Sequence, residues 1–201
     1  MRKRRLSIFS FLLIILCLQA LTGVTSYSQE KIMIDSSNLG KTWEEYITNP
    51  GKEAAIRIYE LLPAMKVSRQ IQVQEEVREM IFKNLNILES QIYRGERNAL
   101  KVGFRLFTIA DSKMEASLVK IIGYLLRYNT NLFLEELKNH EVLVPDLDQL
   151  VCSFQLNEAG DTVQQKLERN IRLKALGYVE NKELKAMKKK CIRILKNLKL
   201  D

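Results

Sequence analysis

The sequence predicts an all-α fold, a single helical domain of roughly seven or eight helices arranged as antiparallel helix pairs. Apolar residues recur at intervals of three and four along most of the chain, which is the period of an amphipathic helix. No stretch of strict apolar–polar alternation exceeds four residues. Prolines are rare and no Gly/Ser linker follows the N-terminal segment, so we expect no boundary between two domains.

The helical domain is expected over residues 41–201. Residues 29–40 are polar and without a helical period, and we interpret them as a flexible lead-in. A short helix over residues 42–47 carries Trp43 and Tyr46.

Two helices are expected next. Asn49–Pro50 places a capping residue before a first-turn proline, which predicts a helix start, and this helix ends near Pro63. A long helix is predicted from Ser68 to Tyr93, closed by a turn at Gly95. Its apolar stripe consists of Val73, Val77, Met80, Ile81, Leu85, Leu88 and Ile92.

The middle of the chain has the clearest helical pattern. A helix over residues 98–110 ends where Asp111–Ser112 breaks the pattern and caps the next helix. Asn129–Asn131 breaks it again before a short helix over residues 132–139. The helix between these two breaks carries the apolar stripe Met114, Leu118, Ile121, Ile122, Leu125 and Leu126.

The C-terminal third predicts three more helices. Pro145 starts a short one, a polar helix covers residues 161–176 and ends at Gly177, and the last runs from Asn181 to about Leu198. The apolar stripe of the last helix is Leu184, Met187, Cys191, Ile194, Leu195 and Leu198. We expect this stripe to pack against the polar helix before it.

Residues Gly95 to His140, GERNALKVGFRLFTIADSKMEASLVKIIGYLLRYNTNLFLEELKNH, resemble helix pairs of the HEAT or armadillo type, with Asp111 at the turn between paired helices. The chain is also similar to small exported bacterial helical proteins. The resemblance implies a helical scaffold with a concave binding face. It implies no catalytic residues.

The N-terminus has the pattern of a secretory signal peptide over residues 1–28. Arg2–Arg5 form a positive region, Leu6–Leu18 is an apolar run, and small residues follow it. We expect cleavage near Ser28–Gln29 and an exported, periplasmic protein. The alternative is an uncleaved membrane anchor, since Leu6–Val24 approaches the length of about 20 residues that a spanning helix needs.

The basic character belongs to the C-terminal segment. The formal net charge is +8, yet residues 166–201 hold twelve Lys or Arg against four acids, whereas residues 29–165 hold sixteen against twenty. Spacings of four, four, three and three predict one basic face on the last helix, made of Lys185, Lys189, Arg193, Lys196 and Lys199, with Lys188 and Lys190 widening it.

This basic face has two interpretations. It binds an acidic protein partner or makes weak contact with an anionic membrane, or it is the solvated face of a docked helix. Nucleic acid is not an expected partner, because no aromatic residues interleave with the lysines. The sequence therefore predicts a binding or scaffold protein acting on a protein or on the cell envelope.

Catalytic chemistry is not expected. His140 is the single histidine, and we place it at a helix end, where a cationic ring is favourable. G-x-S-x-G, C-x-x-C, H-E-x-x-H and glycine-rich phosphate motifs are absent, so no metal or cofactor is predicted. Adjacent acid pairs such as Glu135–Glu136 point about 100° apart on a helix and are expected on exposed faces. The alternative is an enzyme whose acids converge only in three dimensions.

The mature chain has two cysteines, Cys152 and Cys191. In an oxidising compartment they can form a disulfide, which in the chain-entropy treatment stabilises a loop of this length by roughly 4 kcal/mol. The alternative is a pair of free thiols acting as small apolar residues. The sequence leaves both open.

Overall fold

A computed structural model describes residues 34–65, 73–154 and 162–199, which fall within one compact unit. These ranges contain ten α-helices, two short 3-10 turns and no strand, which confirms the all-α prediction and exceeds the expected seven or eight helices. The predicted signal peptide and the predicted cap Ser68 lie outside them. The helices are α1 (Ser36–Thr48), α2 (Lys52–Leu61), α3 (Glu75–Lys83), α4 (Leu85–Tyr93), α5 (Arg97–Leu106), α6 (Ser112–Tyr128), α7 (Thr130–His140), α8 (Leu147–Cys152), α9 (Thr162–Gly177) and α10 (Lys185–Asn197).

Helix α1 begins earlier than the sequence pattern indicated. The Asp35 carboxylate accepts a hydrogen bond from the backbone N–H of Asn38 at 3.0 Å, so the helix is capped and starts at Ser36. Leu39 is fully buried, as is Trp43 one turn later. The end of the predicted flexible lead-in therefore belongs to a packed helix.

The predicted long helix before Gly95 is broken at Asn84 into α3 and α4. The Asn84 side-chain amide donates to the Met80 carbonyl at 2.8 Å, and its backbone N–H donates to the Ile81 carbonyl at 3.1 Å. An asparagine side chain that bonds the preceding turn competes with the regular helical ladder. The apolar stripe continues through the break, so hydrophobic period alone did not reveal it.

The turn at Gly95 is confirmed. Gly95 has a φ of +85°, a left-handed conformation that glycine adopts without steric cost. The N–H of Glu96 donates to the Gln91 carbonyl at 3.0 Å and the N–H of Gly95 to the Ile92 carbonyl at 2.9 Å. This pair of bonds is the Schellman ending of a helix.

The next two predicted breaks are helix N-caps. The side chain of Asp111 accepts from the N–H of Met114 at 2.9 Å, and that of Asn129 accepts from the N–H of Leu132 at 3.3 Å. Each bond satisfies a backbone donor that the first helical turn leaves free. The two residues fix the ends of α6 and the start of α7.

Helix α6 is the centre of the core. It packs against α4, α5, α7, α8 and α9. A Cβ added at Gly123 would lie 2.4 Å from the Leu150 carbonyl oxygen, so only glycine permits the close approach of α8. The predicted stripe of α6 is buried at Met114, Leu118, Ile121, Ile122, Leu125 and Leu126.

Helix α10 is docked on the rest of the domain. It packs against α9, as expected, and also against α7 and α8. Its buried residues include Met187, Cys191, Ile194 and Leu195. Among the helices that the structure describes, none is both long and apolar enough to cross a bilayer.

Candidate functional site

The basic face lies on α10 opposite its buried stripe. At about 100° per residue, Lys185, Lys189, Arg193 and Lys196 fall within an arc of about 80°. All four side chains are exposed. The spacing in the sequence therefore translated directly into one cationic surface, because this segment is a regular helix.

Lys199, the fifth predicted cation, lies beyond the helix. It is exposed and follows the end of α10 at Asn197. None of the five cations, Lys199 included, forms an ion pair with any residue that the structure describes.

Lys188 and Lys190 do not widen the basic face as the sequence indicated. The Lys188 ammonium donates to the carbonyls of Gly177 and Val179 at 3.2 and 2.8 Å. Lys190 forms an ion pair with Glu141. Both side chains are half-buried and connect α10 to neighbouring turns, which sequence spacing cannot distinguish from solvent exposure.

The structure adds a second cluster of polar residues around His140. The residue ends α7, as predicted, but it is 5% exposed. Its Nε2 lies 3.0 Å from the Tyr59 hydroxyl and its Nδ1 lies 2.8 Å from the Glu136 carbonyl oxygen. The Phe104 ring stacks on the imidazole with centroids 5.3 Å apart. The ring thus joins α2, α5 and α7.

Hydrogen bonding defines the tautomer of a neutral His140. A carbonyl oxygen can only accept, so Nδ1 carries the proton, and in the neutral ring Nε2 accepts from the Tyr59 hydroxyl. Burial lowers the pKa of His140. The hydrogen bond to the Glu136 carbonyl and the negative charge of Glu136 raise this pKa, whereas the positive charges of Arg105 and Lys101 lower it further. Burial therefore disfavours the cationic histidine that we expected at this helix end, whereas the Glu136 carboxylate, 3.6 Å from Nδ1, favours it.

Glu136 also departs from the sequence interpretation, which placed it on an exposed face. It is 1% exposed, and its Oε1 accepts from Arg97 at 2.6 Å. Arg97 also donates a hydrogen bond to Glu135. This bond and, to a lesser extent, the bond to Glu136 raise the pKa of Arg97, whereas burial lowers it. The two adjacent carboxylates therefore share one partner, because the Arg97 guanidinium binds both of them.

A buried arginine connects α9 to the end of α8. Arg172 of α9 is fully buried and donates to the carbonyls of Val151 and Ser153 at 2.9 and 2.7 Å. Glu168 accepts from it at 3.3 Å and from Arg127 at 2.7 Å. These bonds satisfy the guanidinium that burial would otherwise penalise. No motif in the sequence predicted this cluster, because residues 161–176 indicated only a polar helix.

The two cysteines are free thiols in the structure. Cys191 is buried on α10, and Cys152 is half-buried on α8, which packs against α10. Burial raises the pKa of Cys152 to about 11 and that of Cys191 to about 12, so neither is a reactive thiolate near neutral pH. Their pairing as a disulfide stays a prediction.

The main concave features found among the described residues are open. One of about 700 Å³ lies between α1 and α2, where Arg57 pairs with Glu45 at 2.5 Å. Another of about 580 Å³ is lined by Tyr59 and Arg105, and a third of about 460 Å³ lies where α3 meets the start of α6. No group of three or more His, Cys, Asp or Glu in the described ranges could hold a metal ion.

The described residues form an all-α fold whose cationic helix face has no ion-pair partner among them, with an internal Tyr–His–Glu cluster. Comparison with protein-family models, with curated proteins and with solved structures finds no match. The contacts, charges and exposure of the described residues therefore carry the functional proposal.

Proposed function

We propose that the chain is an exported helical binding or scaffold protein that docks onto an acidic partner, a protein or the cell envelope, through the basic face of α10. The observation that carries this proposal is the set of five exposed cations without an ion-pair partner among the described residues. Elsewhere on the described surface several cations are paired, as Arg97 is with Glu135. Unpaired charges of one sign on one face attract a partner of opposite charge.

The packing of α10 supports a docking role. Its apolar stripe is buried on three helices, so the lysine face is held in a fixed position. A rigid cationic row loses little conformational freedom on binding apart from that of its own side chains. The surrounding domain serves as the scaffold that presents this row.

The remaining parts of the proposal rest on the sequence patterns. Residues 1–28 give the export signal, and Gly95–His140 gives the HEAT-like character. The successive packing of α5, α6 and α7 on one another supports the latter. Intact mass of the exported protein checks the former, because cleavage before Gln29 removes 28 residues whereas an anchor retains them.

An enzyme is the competing hypothesis, and its best support is the Tyr59–His140 pair. Both ring nitrogens of His140 are already bound within the fold. A general base needs a free nitrogen within reach of a substrate proton. The basic face has stronger support, because its charges are exposed and no residue in the described ranges pairs with them.

Affinity capture from envelope extract with charge-reversed variants tests the proposal. The test variant combines Lys189→Glu, Arg193→Glu and Lys196→Glu. The matched control reverses three exposed lysines elsewhere, Lys52, Lys113 and Lys120, and changes the net charge equally. We expect the test variant to lose the captured partner and the control to retain it, as measured by quantitative mass spectrometry. Equal capture by both variants would refute docking through α10.

A further inference from the structure

An exposed aromatic residue lies beside the basic face. Tyr178, in the turn between α9 and α10, is 72% exposed. The Lys188 ammonium binds the carbonyls on either side of it, those of Gly177 and Val179. Lys188 lies about 60° around the helix from Lys185, so this turn is held against the flank of the cationic row.

The basic face is long and lies on the outer side of a helix. The distance from Lys185 to Lys196 along the axis is about 16 Å at 1.5 Å per residue, and Lys199 follows the helix end. None of the three open cavities described above is lined by a residue of α10. The row of cations therefore lies along an outer helix face, outside those cavities.

We propose that the basic face of α10, together with Tyr178, binds the surface of an anionic phospholipid bilayer. This inference rests on the proposed docking role of the face and names its partner. A row of cations on the outer side of a docked helix suits an extended plane of phosphate groups. An acidic protein is the other occupant, and the experiments below distinguish it from a bilayer. Tyrosine is enriched at membrane–water interfaces, where its ring lies among the headgroups.

Sedimentation with lipid vesicles tests the charge requirement. The native protein should bind vesicles of phosphatidylcholine with 30% phosphatidylglycerol and not vesicles of phosphatidylcholine alone, and salt should weaken binding. Each cation near such a surface contributes about fivefold in affinity, so the triple variant at Lys189, Arg193 and Lys196 should lose at least about 100-fold. The control at Lys52, Lys113 and Lys120 should lose far less. Circular dichroism of each variant confirms that it is folded.

Fluorescence tests the aromatic contact. Tyr178→Trp should give a blue-shifted emission with anionic vesicles, since the indole enters the interface. Tyr128→Trp is the matched control, because Tyr128 is 60% exposed on α6. The buried Trp43 contributes the same background to both variants. A shift at both positions, or at neither, would overturn the predicted orientation.

The outcomes separate this inference from the proposed function. Absence of vesicle binding by the native protein would overturn the lipid inference. If charge-sensitive capture of an acidic protein persisted in that case, docking through α10 would stand with a different partner. If neither vesicle binding nor capture depended on Lys189, Arg193 and Lys196, both proposals would fail.

Discussion

The buried histidine makes folding stability depend on pH in a calculable way. His140 is neutral in the folded protein and burial lowers its pKa, whereas in the unfolded chain its pKa is near the ordinary value of about 6.5. As the pH falls below about 6.5, the unfolded chain takes up a proton that the folded protein does not. Stability is therefore fully present above this value and is lost on acidification by up to about 1.4 kcal/mol per pH unit, until the folded pKa is reached.

The charged surroundings of the ring support the direction of this effect. Arg105 and Lys101 on α5 oppose a second positive charge, whereas Glu136 on α7 favours it. On protonation Nε2 would become the donor and the Tyr59 hydroxyl oxygen the acceptor, so this hydrogen bond would be reversed. Desolvation is the main effect that resists protonation in the folded state.

Urea unfolding at pH 7.5 and 5.5 measures the effect. The free energy of unfolding of the native protein should fall by about 1.3 kcal/mol or less from this residue alone, added to the change that other groups cause. His140→Gln has no titrating group at this position, so the native-minus-variant difference should shrink at pH 5.5. A difference that stayed constant between the two pH values would refute the assignment of a buried neutral histidine.

Three further predictions concern the packing of two helices and the state of the two thiols. Leu195→Ala removes a fully buried side chain and should reduce the free energy of unfolding by about 2–5 kcal/mol; an unchanged value would mean that α10 is not docked. Gly123→Ala should reduce the free energy of unfolding by about 1–3 kcal/mol, because its Cβ would clash with the Leu150 carbonyl oxygen. Gly177→Ala is the control and should leave this free energy unchanged, because a Cβ at Gly177 meets no atom within 4 Å. Non-reducing mass spectrometry of the exported protein decides whether the thiols of α8 and α10 pair, a disulfide lowering the mass by two hydrogens.

Much of the helical pattern could be predicted because it depends on local chemistry. Asp111 and Asn129 cap helices through bonds to residues three positions later, and Gly95 ends one through its own φ. The basic face was predictable for the same reason, since residues spaced three and four apart on a helix lie on one side. The break at Asn84 was not predictable from period, because α3 and α4 continue the same apolar stripe.

The polar clusters could not be predicted because they depend on distant pairs. Glu136 and Arg97 are 39 positions apart, and His140 and Tyr59 are 81 apart. A lysine that binds carbonyls of a neighbouring turn, as Lys188 does, has the same sequence spacing as one in solvent. Only the tertiary structure distinguishes the five cations without an ion-pair partner in the described part of the chain from Lys188 and Lys190, which are bound.

Site-specific photo-crosslinking in intact cells tests directly whether the protein docks through the basic face of α10. Ala186 is exposed and lies about 20° around α10 from Arg193, so a photoreactive residue there samples the basic face without removing a cation. Ala116 is an exposed alanine on α6 and provides the matched control. We expect crosslinked lipid or protein adducts from position 186 that disappear in the Lys189, Arg193 and Lys196 reversal variant, and few adducts from position 116. Equal adducts from both positions, or none from position 186, would contradict docking through α10.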